Sequence, residues 1–267
     1  MTAHDGAAGR LDDGLQEALA ALAASPRPLV ALDFDGVLAP LVDDRDAARP
    51  LERSSAALAA LAALEGERAV ALALVSGRPL ASLVPLAAPP AAAALVGSHG
   101  AEVRMPGDEE PSAPLDAWQE ALLGDVVARA IDVVADHPGT DLEVKPAGAV
   151  LHTRTADVAT ASAAQQALVD GPGRLPGVTV LRGKDVVELA VLDVDKGRSL
   201  AALREDLGAT AVLYAGDDVT DEHAFAVLLD GDVGVKVGDG GTAARHRVGG
   251  PEDVALLLER VLALRSA

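Results

Sequence analysis

Residues 30–38 read VALDFDGVL, and this stretch decides the fold. An apolar run from Leu29 to Leu32 ends abruptly in two carboxylates and a glycine, which is typical of a buried parallel strand. Because residues i and i+2 of a strand point to the same side, we expect Asp33 and Asp35 to converge at the carboxyl end of this strand. Ligands of open α/β sheets bind at that end.

Two carboxylates this close repel each other unless a cation lies between them. Mg²⁺ suits such a pair, because it takes oxygen ligands and often shares them with a phosphate. The alternative is an ordinary strand followed by an Asp-Gly turn, a pattern that occurs often by chance. The rest of the chain must therefore supply the other parts of a phosphate site.

The composition limits the classes of partner. Half of the 267 residues are hydrophobic and only 1% are aromatic, so the core must consist of Ala, Val and Leu. The formal net charge of −19 argues against nucleic acids and anionic membranes as partners. The chain has no cysteine, which excludes disulfides and thiolate nucleophiles.

The polar segment Met1–Arg10 does not have the pattern of a signal peptide. The alanine-rich run 55–64 is too short to span a bilayer and is predicted to be a buried helix. We expect a cytoplasmic monomer with no membrane partner.

The order of predicted elements indicates an inserted domain. Strands and helices alternate in residues 1–107 and again in 192–267, which predicts an α/β fold with a doubly wound parallel sheet. Residues 108–191 instead read helix, hairpin, helix, hairpin, as expected for a smaller α+β domain.

Three further polar groups lie at predicted element boundaries. Ser76 and Gly77 follow the second strand, Lys196 begins a helix, and the run Gly216–Asp221 follows a late strand. Each has a structural alternative: a helix N-cap for Ser76, a solvated side chain for Lys196, and an acidic helix start for the late run. Their joint appearance favours a phosphate site.

At this point the sequence resembles the haloacid dehalogenase superfamily of phosphotransferases, whose pattern is DxDx[T/V], Ser/Thr, Lys and GDxxxD. Within it the chain is similar to trehalose-6-phosphate phosphatases, in the segments 32–38, 75–78, 97–102, 143–145, 152–154, 183–188, 195–197 and 216–225. Three departures are Phe34 in place of Tyr, Val37 in place of Thr, and His223 in place of an acid.

The resemblance implies a haloacid-dehalogenase-like core with a cap domain and a two-step displacement. Asp33 forms an aspartyl-phosphate, and Asp35 protonates the departing oxygen and then activates water. The metal set is Mg²⁺ with Asp33, the Asp35 carbonyl and Asp217, supported by Asp221, and whether Asp218 or Asp221 completes the shell stays open. The phosphate-binding set is Ser76, Gly77 and Lys196.

The same resemblance assigns sugar recognition to the inserted domain. Glu143, Lys145, Arg154 and Glu188 are expected to reach sugar hydroxyls, and Arg78 and His99 are expected to be substrate-binding neighbours of the site. The pairs Glu143/Lys145 and His152/Arg154 each fit one face of a strand. A salt-bridged solvent face on a hairpin is the alternative.

The implied function is Mg²⁺-dependent hydrolysis of trehalose 6-phosphate to trehalose and phosphate. The first alternative is a phosphatase for another sugar phosphate, such as sucrose phosphate or mannosyl-phosphoglycerate. The second, a regulatory receiver-like module, would lack the inserted domain and the late Gly-Asp-Asp run. An inactive homologue is expected to have lost Asp33 or Asp35, and both are present.

Overall fold

A computed structural model describes residues 11–113, 115–183, 185–192 and 194–267. The expectation for Met1–Arg10 lies outside the described residues, as does Lys184 of the segment 183–188. The chain divides into two compact units. The first consists of the described part of Met1–Pro111 together with Asp195–Ala267, and the second is Ser112–Val194, without its undescribed positions.

The elements follow in chain order. The first unit begins with α1 (Asp13–Ala24), β1 (Pro28–Leu32), α2 (Glu52–Ala62), β2 (Ala71–Val75), α3 (Leu80–Ala87), β3 (Ala93–Gly97) and β4 (Glu102–Arg104). The second unit contains α4 (Ala117–Asp136), β5 (Asp141–Lys145), β6 (Gly148–His152), α5 (Val158–Asp170), β7 (Thr179–Arg182) and β8 (Val186–Ala190). The first unit resumes with α6 (Lys196–Asp206), β9 (Ala211–Gly216), α7 (Asp221–Ala226), β10 (Val233–Val237), β11 (His246–Val248) and α8 (Pro251–Ser266).

The first unit is built on a seven-stranded sheet of order β11-β10-β9-β1-β2-β3-β4. All five residues of β1 are buried at its centre, and β1 pairs in parallel with β2 and with β9. Only β4 is antiparallel to its neighbour among the described strands of this sheet. The prediction of an α/β fold with a parallel sheet is confirmed, because fully apolar runs bury both faces of a strand.

Helices cover both faces of this sheet. Leucines of α1, α2, α3 and α8 pack with alternate residues of β1, such as Val30 and Leu32. Leu200 and Leu203 of α6 and Phe225 of α7 pack on the other face with Tyr214. The carboxyl ends of β1, β2 and β9 therefore meet at one edge, where the candidate residues lie.

The second unit is a four-stranded antiparallel sheet of order β5-β6-β8-β7 with α4 and α5 on one face. Its apolar cluster includes Val126, Leu151, Leu168 and Leu189. The register places Glu143, Val150 and Glu188 side by side on the other face, because directly opposed residues of antiparallel strands share a face. The role of this unit as a cap stays a prediction.

Within the part of the chain that the structure describes, every helix is too short or too polar to cross a bilayer.

Candidate active site

Asp33 and Lys196 form the centre of the site. Asp33 directly follows β1, and Lys196 is the first residue of α6. The Lys196 Nζ donates to Asp33 Oδ2 at 2.5 Å and to Asp221 Oδ1 at 2.7 Å. The Lys196 side chain is only 1% exposed, so the alternative of a solvated lysine is wrong.

Asp221 organises the loop after β9. Its Oδ1 also accepts a 2.7 Å hydrogen bond from the Tyr214 hydroxyl, and its Oδ2 accepts from the backbone N–H groups of Asp217 and Asp218 at 2.9 Å each. A Cβ at Gly216 would lie 2.2 Å from Asp221 Cγ, so only glycine allows this carboxylate so close to the backbone. Both oxygens of Asp221 are engaged within the protein, which makes it an anchor of the loop.

Asp217 lies against the first loop. A Cβ at Gly36 would lie 2.1 Å from Asp217 Oδ2, and Gly36 has a φ of +73°. The Asp217 carboxylate is therefore next to the backbone that follows Asp35. The Asp217 carbonyl accepts a 2.5 Å hydrogen bond from Lys236 Nζ.

Lys236 was missed by the sequence analysis. It is buried on β10, inside the apolar run 233–237, and the chain contains only four lysines. The signal that could have identified it is a lysine within an apolar strand, because lysine is almost never fully buried without a partner.

The electrostatics of the site show an excess of negative charge. Burial and the Asp221 carboxylate raise the pKa of Asp33 above its ordinary value, although Lys196 opposes this. Burial, together with Asp221 and Asp218, raises the pKa of Asp217 to about 6. Burial alone would lower the pKa of Lys196, but the Asp33 and Asp221 carboxylates more than offset it and raise this pKa.

This charge imbalance fits a divalent cation. Asp33, Asp218 and Asp221 each offer an oxygen within 4.8 Å of the others. Hydrogen bonds from Thr220 and the charge of Lys196 outweigh burial and lower the pKa of Asp218 to about 2. All these donors are carboxylate oxygens, as a hard cation prefers.

Asp35 belongs to a separate ion pair. Arg78 Nε donates to Asp35 Oδ2 at 2.6 Å, and Arg78 Nη2 donates to Asp35 Oδ1 at 2.7 Å. Strand alternation does not relate Asp33 to Asp35, because both lie beyond the end of β1, and their convergence stays a prediction. β1 ends at Leu32, and the chain turns at Gly36. The Asp33 carboxylate pairs with Lys196, whereas the Asp35 carboxylate pairs with Arg78.

Ser76 stabilises the loop after β2. Its buried Oγ accepts a 3.2 Å hydrogen bond from the Arg78 N–H. The alternative of a helix N-cap at Ser76 is wrong, since α3 begins at Leu80 with Pro79 as its N-cap. The Leu80 N–H instead donates to Glu102 Oε2 at 2.5 Å, so Glu102 caps α3 from a distant part of the chain.

Gly77 and His99 are in contact. A Cβ at Gly77 would lie 2.5 Å from His99 Cε1, so the His99 ring covers the backbone of the loop. His99 and the preceding Ser98 have φ angles of 57° and 49°, a left-handed conformation that costs energy in residues other than glycine. The structure thus brings Gly77, Arg78 and His99 together beside Ser76.

The second unit carries its own polar cluster. Glu143 Oε2 lies 2.9 Å from His152 Nε2, and Lys145 Nζ lies 3.3 Å from each oxygen of Glu188. Arg154 does not share a strand face with His152, because β6 ends at His152. Arg154 is exposed in a turn closed by a hydrogen bond from the Ala156 N–H to the Thr153 carbonyl.

The first unit thus combines the parts that phosphoryl transfer requires. Asp33 is a carboxylate that can act as a nucleophile, and Lys196 is a cation beside it. Asp35 is a second carboxylate whose side chain is 30% exposed and available for proton transfer. Asp218, together with Asp33 and Asp221, offers an oxygen for a divalent cation.

The chain is similar to a known protein family and to known proteins. A family model described as Trehalose-phosphatase matches residues 31–246. The chain is 35% identical over 255 residues to a trehalose-phosphate phosphatase of Mycobacterium avium (strain 104), covering 89% of this chain and 63% of that protein. It therefore spans less than two thirds of the length of this relative.

A second relative and a solved structure are also similar to this chain. The chain is 35% identical over 199 residues to a trehalose-6-phosphate phosphatase of Escherichia coli (strain K12), covering 72% of this chain and 71% of that protein. A crystal structure of the Aspergillus fumigatus trehalose-6-phosphate phosphatase has a TM-score of 0.66 at 25% identity, covering 97% of this chain and all of that chain.

Proposed function

The chain belongs to the trehalose-phosphatase family, and from this premise we propose that it hydrolyses trehalose 6-phosphate to trehalose and phosphate. The observation that carries the proposal is the buried Asp33–Lys196 pair, because it joins a carboxylate and a cation at the edge of the sheet where ligands of such folds bind. The substrate itself is inferred from the relatives named above.

In the first chemical step, an Asp33 oxygen attacks phosphorus and the bond to the sugar oxygen breaks. The electron pair of that bond leaves with the sugar oxygen, which takes a proton from Asp35. The products are trehalose and an aspartyl-phosphate on Asp33. In the second step Asp35 accepts a proton from water, and that water attacks phosphorus and frees Asp33.

Lys196, Ser76 and Gly77 are proposed to bind the phosphoryl oxygens. Lys196 already contacts the nucleophile, so its charge lies where negative charge moves during the transfer. Arg78 and His99 adjoin this loop, and we retain them as neighbours of the substrate.

Mg²⁺ is proposed as the cofactor, held by Asp33, the Asp35 carbonyl and Asp217. Asp218 has a lowered pKa and an oxygen in the carboxylate cluster, so it is the candidate to complete the shell, whereas Asp221 is engaged by four donors within the protein. When bound, such an ion neutralises charge on the transferring phosphoryl group.

Glu143, Lys145, Glu188 and Arg154 of the second unit are proposed to recognise the sugar hydroxyls. Their support is the family resemblance and their position on the sheet face away from α4 and α5, or just after it for Arg154. A cytoplasmic location and a monomeric state stay predictions from the sequence.

The test is phosphate release from a panel of sugar phosphates with Mg²⁺ present. We expect trehalose 6-phosphate to have the highest kcat/KM, well above glucose 6-phosphate, sucrose 6-phosphate and mannosyl-3-phosphoglycerate. A higher kcat/KM for sucrose 6-phosphate or mannosyl-3-phosphoglycerate would replace the proposed substrate while leaving the chemistry of Asp33 in place. No release from any member, with Mg²⁺ saturating, would overturn the enzyme assignment.

A further inference from the structure

We propose that Arg78 is a positioning residue for proton transfer: its two hydrogen bonds hold the carboxyl group of Asp35 in one orientation. This inference rests on the proposed function only in taking Asp35 as the general acid. It gives Arg78 a role beyond that of a substrate-binding neighbour of the site.

The geometry of the pair is that of a fork. Two nitrogens of the guanidinium, Nε and Nη2, donate to the two oxygens of one carboxylate at 2.6 and 2.7 Å. Bidentate pairs of this kind fix the plane of the carboxyl group as well as its position. The lone pairs of Asp35 that Arg78 does not engage are left to hold the proton that the leaving oxygen receives.

Arg78 is itself held firmly. Its Nη2 also donates to the Arg45 carbonyl at 2.8 Å, and its guanidinium carbon lies 5.4 Å from the centre of the Phe34 ring. Its backbone N–H donates to Ser76 Oγ and its carbonyl accepts from the Ser98 N–H. A side chain fixed at both ends is suited to orient another group.

The exposures of the two side chains differ. The Arg78 side chain is 5% exposed, whereas that of Asp35 is 30% exposed. The carboxylate therefore presents an accessible side while its cation lies behind it. Phe34 stands beside the pair.

The chemistry follows from this arrangement. As the bond from phosphorus to the leaving oxygen breaks, the proton moves from Asp35 to that oxygen, and Asp35 becomes a carboxylate. The guanidinium holds the plane of the carboxyl group throughout, so the transfer does not wait for Asp35 to reorient. Removing Arg78 should therefore matter most when the leaving group needs the proton most.

The test measures kcat/KM on phenyl phosphates of similar shape, from phenyl to 4-nitrophenyl, whose leaving groups need progressively less protonation. kcat/KM is chosen because it reports the steps up to formation of the aspartyl-phosphate. These substrates contain no sugar, so the outcome does not depend on trehalose 6-phosphate being the natural substrate.

For Arg78→Met we expect a loss of about 10²-fold for phenyl phosphate and less than about threefold for 4-nitrophenyl phosphate, since general acid catalysis contributes ~10²–10⁴-fold where it is needed. Arg78→Lys keeps the charge without the fork and should lie between Arg78→Met and the parent protein. Arg45→Gln removes an exposed arginine from the same neighbourhood and should leave all rates unchanged.

The double variant Asp35→Asn/Arg78→Met tests whether Arg78 acts on the rate through Asp35. If Arg78 acts through Asp35, adding Arg78→Met to Asp35→Asn should cost no further activity on phenyl phosphate. Equal losses of Arg78→Met on all phenyl phosphates, or additive losses in the double variant, would overturn the proposal and return Arg78 to binding the phosphate or supporting the fold. If Arg78→Met fails to fold by circular dichroism, Arg78→Lys gives the same comparison.

Discussion

The Tyr214 hydroxyl donates a 2.7 Å hydrogen bond to Asp221 Oδ1, the same oxygen that accepts from Lys196. Tyr214 is the only tyrosine of the chain and is fully buried on β9. The bond links a buried strand of the sheet to the Asp33–Lys196 pair. The Asp221 carboxylate, which anchors the loop after β9, is therefore itself held by a residue of that strand.

Tyr214→Phe should lower the stability of the protein without removing activity. The change deletes one buried hydrogen bond to a charged group and leaves the ring packing intact, so we expect a loss of about 1–3 kcal/mol in the free energy of unfolding. Urea denaturation followed by circular dichroism measures this loss. Unchanged stability would mean that Tyr214 contributes only packing.

Asp33→Asn should abolish turnover while the fold persists. The amide nearly conserves the shape of the side chain but cannot act as the nucleophile, so phosphate release should fall roughly 10⁴-fold or more. Asp206→Asn, on an exposed residue of α6, is the matched control and should keep full activity. Substantial turnover by Asp33→Asn would place the covalent intermediate elsewhere.

Chelation should remove activity, and Mg²⁺ should restore it. The metal-free protein should also become less stable with rising pH. The folded-state pKa of Asp217 is raised to about 6, so its contribution to stability is present below about pH 4 and is lost as the pH rises through 6. The pKa of Asp33 is raised as well, so this residue changes stability with pH in the same direction.

The measurement for this prediction is Tm at pH 5 and pH 8, with chelator and with Mg²⁺. Because a bound cation stabilises by mass action, Mg²⁺ should raise Tm more at pH 8 than at pH 5. Full phosphate release after exhaustive chelation, or a Tm that ignores Mg²⁺ at both pH values, would contradict the metal assignment.

Glu143→Ala, Lys145→Ala and Arg154→Ala should damage hydrolysis of trehalose 6-phosphate much more than that of 4-nitrophenyl phosphate. A site that hydrogen-bonds hydroxyls discriminates strongly against substrates that lack them. We expect losses of about 1–3 kcal/mol in transition-state stabilisation for the sugar substrate.

Stability should change little in these variants, because ion pairs as exposed as Glu143–His152 contribute about 0–1 kcal/mol. Arg129→Ala, on an exposed residue of α4, serves as the control. Equal losses on both substrates would leave these residues without a role in sugar recognition.

Arg265→Met should be strongly destabilising. The Arg265 guanidinium, buried at the end of α8, donates to five backbone carbonyls, those of Ala23, Ser25, Glu67, Arg68 and Ala69. Carbonyls left buried without a donor cost about 1–3 kcal/mol each where water does not reach them, so we expect a total loss of about 3–5 kcal/mol. Arg260→Met, exposed on the same helix, should cost little when compared by urea denaturation.

Some of the site was predictable because the local pattern of apolar and acidic residues identifies it. The apolar run before Asp33 and the run before Asp217 identify strands, and acids placed directly after buried parallel strands must lie at one edge of the sheet. The short edge strands β4 and β11, of three residues each, were not predicted because so few residues carry no readable period.

By itself, the sequence determined the α/β class, the strand ends that carry the acids, and the family to which those motifs point. The tertiary structure alone decided which charges pair: Asp33 with Lys196, 163 positions away, and Asp35 with Arg78, 43 positions away. It also decided that Glu102 caps α3 and that Asp221 is enclosed by four donors. The physical reason is that strand and helix patterns depend on neighbours in the chain, whereas ion pairs depend on how closely packed elements bring side chains together across the sheet.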